Sequence, residues 1–372
     1  MSAAIDRLPP CALAWSFVPA REHARWMRAW DELNRRGCRS PLIQSWFLLP
    51  ALQHFGTGDE LVAIGRREPD TPAAMMLLTR PAALRCEGFQ PSQAPLAAML
   101  LAPGEDVADA TRSLLRALPG TVLALTLLHL DERFVAMPAT APDVEISPRF
   151  ETGAIFVGLD FADYYAAIPV RARKNLERRI RKAEAEIGPA TLQVWESAER
   201  IDEFLHLYSD TESRGWKGEA GTAVGFDDAQ GLFYRDMLRA AAERGALRMF
   251  VLMFGDRPAA QQIAIECEGI TYFLKTTYDE SLGAYAPGVI QRYLILKWSQ
   301  TREPPARDFE IYGQVKEAIA PFITGTRQMY HLTVFRYGLL RWPLAGLRWS
   351  RRLAQSKKSA STQASEHEGG PS

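Results

Sequence analysis

The apolar positions of this chain follow two periods, and the changes from one to the other mark its elements. Ala20 to Arg36 carries Trp26, Ala29, Trp30 and Leu33 at helical spacing and stops at Gly37, and Leu42 to Phe55 makes a second apolar helix closed by Gly56. Alternation then predicts strands at Leu61–Gly65 and Ala73–Leu78, parted by a Pro/Asp/Thr turn. After a loop over Gly88–Pro95 come a helix, Asp106–Leu118, and a largely apolar strand, Val122–Leu130, that reads as buried. Asp131 to Pro148 has little periodicity and carries Pro138, Pro142 and Pro148, so a domain boundary is expected near it.

The second half opens with a strand at Ala154–Leu159 and a cap at Asp160. A helix over Ile168–Ile187 follows, started by Pro169 and ended by Gly188-Pro189. Strand Ala190–Trp195, helix Ala198–Glu212, the loop SRGWKGEAGTAVG and helix Asp227–Arg244 come next. Strands Leu247–Met253 and Ala259–Glu266 then flank a hairpin signal at Gly255-Asp256-Arg257-Pro258. The stretch Gly269–Thr301 begins as a strand, with Ile270, Tyr272, Leu274 and Thr276 alternating with Thr271, Phe273, Lys275 and Thr277. It breaks at Asp279–Gly283 and resumes as a helix at Pro287, with Val289, Tyr293 and Leu296 on one face. Strand, turn and helix start make either an ordinary connector or an anion site, because the free N–H groups of a first helical turn favour a phosphate. A strand at Asp308–Tyr312, a helix around Val315–Phe322 and a last strand at Tyr330–Arg336 complete the pattern.

At 372 residues the chain is long enough for two cores. Its net charge of zero removes any overall field for nucleic acid, so an anion site must be a local patch. One such patch lies in the Ile168–Ile187 helix, where seven basic residues stand against a single acid between positions 171 and 182. That bias is either a solvated face or a contact with a phosphate-rich partner or anionic surface, made by Arg171, Arg173, Lys174 and Arg178. Cys11, Cys38, Cys86 and Cys267 form no CxxC pair, which suits a reducing compartment. The histidines form no HxxxH and no Cys/His cluster, so no metal site is expected. The N-terminus lacks the pattern of a secretion signal, and no apolar run approaches the roughly 20 residues of a spanning helix. A cytoplasmic protein is expected. From Ala318 to Ser365 there is no acidic residue, and a basic amphipathic segment over 339–355 suits a membrane surface or a cap on the second domain. Residues 356–372 read as a disordered tail. The expected units are 1–148, 149–338, that segment and that tail.

The order of elements from residue 198 onward resembles the GNAT acyltransferase core. YAAIPVRARKNLERRIRKAEAEIG resembles the basic helix that opens the second domain of Fem-type and CelD-like N-acetyltransferases. SRGWKGEAGTAV, RMFVLMFGDRPAAQQIAI and YFLKTTYDESLGAYAPGVIQRYLI resemble that family's loop, paired central strands and cofactor strand, turn and helix. DFEIYGQVKEAIAPF is similar to its F-D-F-x-x-G-x-x-x-Y-K segment, with Glu310 near the usual aspartate-aromatic pair and Val315 in place of a tyrosine. Over residues 12–130 the resemblance is to a degenerate first GNAT-like domain. It implies an α+β fold of two tandem GNAT-like domains, each a mixed, mostly antiparallel sheet flanked by helices.

The resemblance also implies an acetyl-CoA or other acyl-CoA donor and no metal. The donor would lie along Thr276, Thr277 and Tyr278 and on the turn of Gly283, Ala284, Tyr285, Ala286, Pro287 and Gly288, whose glycines stand further apart than in Q/R-x-x-G-x-G/A. Acyl transfer from a thioester needs an amine that loses its proton, an N–H donor for the oxyanion and a proton for the departing thiolate. Asp279 or Glu310 is expected as the base, against plain readings of a helix cap and a surface strand residue. Tyr278 or Tyr285 is expected to protonate the thiolate, and Arg214, Trp216, Lys217, Lys275 and Lys316 to hold substrate. Three functions stay open at this level. The first is an N-acyltransferase acting on an amino sugar, a glycan or lipid-linked acceptor, or another cell-envelope precursor. The second is an aminoacyl-tRNA-dependent transferase that contacts tRNA through the basic helix. The third is a non-catalytic GNAT-fold protein that binds an anionic surface.

Overall fold

A computed structural model describes residues 13–215 and 224–340 of the chain. The first half runs β1 (Ala14–Pro19), α1 (Met27–Arg36), α2 (Ser45–Phe55), β2 (Leu61–Glu68), β3 (Thr71–Ala82), β4 (Arg85–Gly88), β5 (Met99–Leu101), α3 (Val107–Ala117) and β6 (Ala124–Asp131). After β7 (Val144–Phe156) come α4 (Phe161–Ala167), α5 (Val170–Glu186), β8 (Ala190–Trp195), α6 (Ile201–Ser213) and α7 (Ala229–Ala242). The chain then forms β9 (Leu247–Phe254), β10 (Arg257–Cys267), β11 (Ile270–Tyr278), α8 (Pro287–Ser299), β12 (Asp308–Ile311) and β13 (Gly325–Phe335). Helix starts follow the local chemistry: Asp106 accepts from Asp109 N at 2.9 Å and Asp160 from Ala162 N at 2.7 Å, each supplying the acceptor that a first turn lacks.

These strands make one mixed sheet in the order β1-β2-β3-β4-β6-β13-β7-β12-β11-β10-β9-β8, with β5 beside β3. All neighbours are antiparallel except β4 with β6 and β11 with β12. Each half therefore follows one plan, an antiparallel run that ends in a parallel pair, and the α+β architecture expected from the sequence is observed. The halves also exchange strands. β7 follows β6 in the chain but pairs with β12, while β13 follows β12 but pairs with β6, and the two exchanged strands pair with each other at the centre. β7 runs unbroken across residue 148, where the sequence suggests a boundary.

The core is shared in the same way. Trp26, Trp30 and Phe47 of the first half are buried in one cluster with Phe204, Tyr208 and Phe233 of the second. The Phe233 ring centroid lies 5.8 Å from that of Phe47 and 5.4 Å from that of Phe55. A second cluster fills the space between the first-half sheet and α3, and a third packs α5 and α8 on the other face of β9, β10 and β11.

Several elements differ from the periodic reading. β1, β4, β5 and α4 go unseen in the apolar pattern because they are short or carry mixed residues. The strand placed at Ala154–Leu159 is the end of β7, and the helix at Val315–Phe322 is only a 3₁₀ turn at Ala320–Phe322. Trp216 and Lys217, and the basic segment and tail from residue 341 on, lie outside the described residues.

One glycine shows how tightly the next segment is placed. Asp228 caps α7 through Gln230 N and Gly231 N, both at 2.8 Å, and a Cβ at Gly231 would collide with the Gly225 and Phe226 carbonyl oxygens. Gly231→Ala is expected to displace the 224–226 segment and to cost roughly 1–3 kcal/mol, read as a lower urea midpoint.

Candidate active site

The parallel pair of the second half comes apart part-way along. β12 pairs with β11 only from Ile270–Asp308 to Phe273–Ile311. Next to that point β11 carries a bulge: Ala264 faces Phe273 while Ile263 faces Lys275, so Leu274 is the extra residue. Gln262 pins the bulge, donating to Lys275 O at 3.0 Å and accepting from the Thr276 hydroxyl. Arg292, buried on α8, lies 3.8 Å over the Phe273 ring with Nη2 3.5 Å from Gln262 Oε1, and burial draws its pKa down to about 10. Beyond the bulge the Asp279 amide donates to Ala259 O at 3.0 Å, which sets the phase of the ladder. By the alternation of an antiparallel pair, Thr277 and Asp279 then turn their peptide groups toward β10, and Thr276 and Tyr278 turn theirs to the open side.

The turn after β11 is a 3₁₀ segment, Glu280–Tyr285, ended by Ala286 at φ 52° before Pro287 starts α8. Nothing lies within 4 Å of a Cβ placed at Gly283 or Gly288, so both face open space. Asp279 caps this turn through Ser281 N at 3.0 Å and meets Arg257 Nη2 at 2.5 Å. Burial pushes its carboxyl up, but the bonds from Ser281 and Arg257 outweigh it and hold the pKa below the ordinary value. A carboxylate so engaged is a cap, and a poor base. Tyr285 is turned to the surface, where its hydroxyl donates to Glu186 at 2.7 Å and Lys182 Nζ sits 5.1 Å over its ring. Tyr278 is likewise exposed.

Beside the α8 start lies a groove of about 950 Å³ whose α5 wall carries Arg171, Lys174, Arg178 and Arg179, facing Val289 and Phe322. Leu176 and Ala183 are the buried residues of α5, and Leu176 forms part of the groove floor beside these cations. Arg173 is drawn off, donating to Ile168 O at 3.0 Å with its guanidinium 5.6 Å over Tyr165. Lys316 is exposed one residue before the groove's Glu317.

The other face of β11 is different in kind. Lys275 Nζ lies 3.6 Å from Glu212 Oε2, 3.4 Å from Gln230 Oε1 and 5.9 Å over the Tyr234 ring. Glu212, buried at the end of α6, also accepts from Val224 N at 2.8 Å and from the Tyr208 hydroxyl at 3.4 Å. Arg214 is exposed and donates to Asp210 O at 3.1 Å; Gly215 next to it leaves no room for a Cβ, which would come within 2.8 Å of Glu280 Cδ. The end of α6 therefore touches the turn after β11.

Glu310, also on this face, is buried rather than the surface strand residue of the plain reading. Its Oε2 is 2.7 Å from Arg327 Nη2 on β13, its Oε1 meets Arg133, and Arg327 Nε holds Asp131 Oδ2 at 2.8 Å. Burial raises the Glu310 pKa, Asp131 adds to the rise, and the two arginines oppose it without cancelling it. Tyr312 stacks on Tyr272 with ring centroids 6.5 Å apart, under the Arg327 guanidinium, and its buried hydroxyl has no hydrogen-bond partner among the described residues. The strand exchange makes this cluster, since pairing of β13 with β6 sets Arg327 beside Asp131 in the middle of the sheet, within reach of Glu310 on β12.

Residues 170–313 match the acetyltransferase (GNAT) domain family. This segment is a GNAT acyltransferase domain. It begins with α5 and ends just after β12, so the α5 wall of the groove, the bulge, Glu212, Glu310 and Tyr312 all fall inside it. The whole chain is similar in fold to the crystal structure of FemX (9% identity, 88% of this chain and 99% of that one covered, TM-score 0.51). It is also similar in fold to a conserved protein of unknown function from Bacteroides thetaiotaomicron (11% identity, 83% and 97% covered, TM-score 0.50). No curated protein matches the sequence.

The residues present fit an acyl-CoA. The GNAT domain offers an unpaired strand edge, a helix start and four cations for phosphates. Asp279 and Glu280 make the turn itself less positive than a glycine-only loop, whereas the α5 wall of the groove is rich in cations. Among the described residues no group of three His, Cys, Asp or Glu could hold a metal ion, and no helix is long and apolar enough to cross a membrane. Glu212, Gln262, Tyr312 and Arg327 went unassigned in the sequence. The adjacent glutamines in AAQQIAI, polar in an apolar strand, were the one local signal for Gln262.

Proposed function

We propose that this GNAT protein transfers an acyl group, acetyl in the first instance, from acyl-CoA to an amine of an amino sugar, glycan or related cell-envelope precursor. The observation that supports it most is the parting of β11 from β12 at Phe273–Ile311, beside a bulge and a helix start. The donor supplies a thioester carbonyl. On the α8 face, Arg171, Lys174, Arg178 and Arg179 hold its phosphates. The Thr276 and Tyr278 amides, pointing into the split, are placed to receive the carbonyl oxygen as it gains charge. Glu310 takes a proton from the acceptor ammonium, and the freed amine forms the C–N bond. As the C–S bond breaks, the Tyr312 hydroxyl gives its proton to the thiolate sulfur, and the nitrogen loses its second proton to solvent.

Acetyl-CoA at 100 times its dissociation constant should add about 2.7 kcal/mol of stability, read as a raised melting temperature. No saturable shift with acetyl-, succinyl- or longer acyl-CoA would remove the reading. The raised pKa of Glu310 gives a second test. The base is lost as pH falls through a value above the ordinary 4.5, so kcat/KM should fall there. Glu310→Gln should abolish that acid limb and lower the rate roughly 10²–10⁴-fold. A limb retained in this variant but lost in Glu212→Gln would move the base to Glu212.

The α5 groove also favours a second donor, an aminoacyl-tRNA. A steep fall of tRNA binding with salt, flattened by charge reversal on α5, would support it; no tRNA binding at low salt would end it. Either reaction suits a cytoplasmic protein, peripheral at a membrane surface through the basic segment 339–355 when the acceptor is lipid-linked.

A further inference from the structure

A cavity of about 470 Å³ between the two halves is not used by the chemistry above. It lies among the turn after α1, the start of α3, the end of β6 and the β10–β11 turn, and its size is that of a small-molecule pocket. Four non-glycine residues of the described chain have positive φ, and three of them, Arg39 (52°), His129 (50°) and Glu268 (51°), line this one cavity. The fourth, Ala286, opens α8. Such residues are strained and persist only where neighbours over-determine them.

The neighbours do so here. Buried Asn34 accepts from Arg39 N at 2.8 Å with its carbonyl and from Ser40 N at 3.2 Å with Oδ1, and its Nδ2 donates to Ser40 O at 2.9 Å. His129 sits where β6 has one residue more than β13, with its ring 2.9 Å from Gln90 Nε2. Glu268 and Gly269 form the two-residue hairpin turn, at φ 51° and 75°. Asn or Asp would be the easier first residue there; Glu carries its carboxylate further out.

Arg39 and Glu268 thus stand at one cavity with opposite charges, and neither has an ion-pair partner among the described residues. Tyr272 and Arg133 line the cavity and Arg133 contacts Glu310, so its wall adjoins the proposed base, and it shares no lining residue with the α5 groove. It is not a second nucleotide site. α3 starts here as α8 starts at the groove, but Asp106 caps its first turn and Glu105 stands beside it, which disfavours phosphate.

The geometry points to this cavity as the acceptor pocket, holding a small zwitterion with its carboxylate on Arg39 and its ammonium on Glu268. A further amine on the same molecule then extends past Tyr272 toward Glu310. The acceptor role rests on the acyl-transfer reading; the binding of a zwitterion does not.

Binding to the full chain is to be measured by calorimetry and ligand-observed NMR with L-lysine. Cadaverine, which lacks the carboxylate, and aminocaproate, which lacks the α-ammonium, serve as controls. L-lysine should bind about fivefold more tightly than either control. Arg39→Gln should erase the advantage over cadaverine, and Glu268→Gln the advantage over aminocaproate. Arg39→Gly and Glu268→Gly should do the same while relaxing the backbone, so that a loss is not a failure to fold. Acetyl-CoA affinity should stay unchanged in all four variants. No saturable L-lysine binding to a wild-type chain that binds acetyl-CoA overturns the inference and leaves acyl transfer standing, as does equal binding of all three probes. L-lysine binding without binding of acetyl-, succinyl- or longer acyl-CoA keeps the zwitterion site and overturns the acyl-transfer reading.

Discussion

Phe233→Ala is expected to destabilise the whole chain by about 3–5 kcal/mol, in a single transition. Phe233 is fully buried on α7, and its ring packs on Phe47 and Phe55 from α2, with Tyr234 at 5.0 Å on its own helix. The side chain therefore belongs to a core to which both halves contribute. β7 and β13 bind the halves a second time, because each completes the sheet on the far side of the exchange. Removing one aromatic ring should lower the urea midpoint measured by tryptophan fluorescence and that measured by far-ultraviolet circular dichroism together. Two separated transitions, with the second half unaffected, would show that the halves fold independently.

The second large effect is on binding. Changing Arg171, Lys174 and Arg178 together to Gln should weaken acetyl-CoA about 100-fold while leaving the melting temperature within a few degrees of wild type. Each charge-assisted phosphate contact contributes roughly 1 kcal/mol or more, and three lost together give that factor. Stability should hold because these side chains face the groove while Leu176 and Ala183 carry the packing of α5. Arg173→Gln is the control: its guanidinium is engaged with Ile168 O and Tyr165, so the affinity should hardly move. Equal losses from Arg173→Gln and from the triple variant would place the phosphates elsewhere.

The candidate site was legible in the sequence where chemistry is local. The β11 strand, its break at Asp279 and the restart at Pro287 lie in one continuous stretch, and composition plus period located all three. The cations of α5 were equally plain as a local excess of charge, but only packing separates Arg173 from the other three. Roles that depend on partners far along the chain could not be read. Asp279 and Glu310 look alike in sequence, yet one is held as a cap by Ser281 and Arg257 while the other is buried under Arg133 and Arg327. Tyr278 proved exposed and the Tyr285 hydroxyl is taken up by Glu186, whereas Tyr312, a strand end by pattern, has the buried unpaired hydroxyl.

By itself, then, the sequence determined the strand–turn–helix at Gly269–Thr301 and the basic face of α5, because period, turn residues and local charge act over a few residues, while the α+β class came from the resemblance of its segments to the GNAT core. Only the tertiary structure decided that the halves exchange β7 and β13, that β11 and β12 part at Phe273, and which carboxylate is buried. Those outcomes depend on pairing between segments up to about two hundred residues apart, set by register and by what each face must cover, which no local pattern encodes.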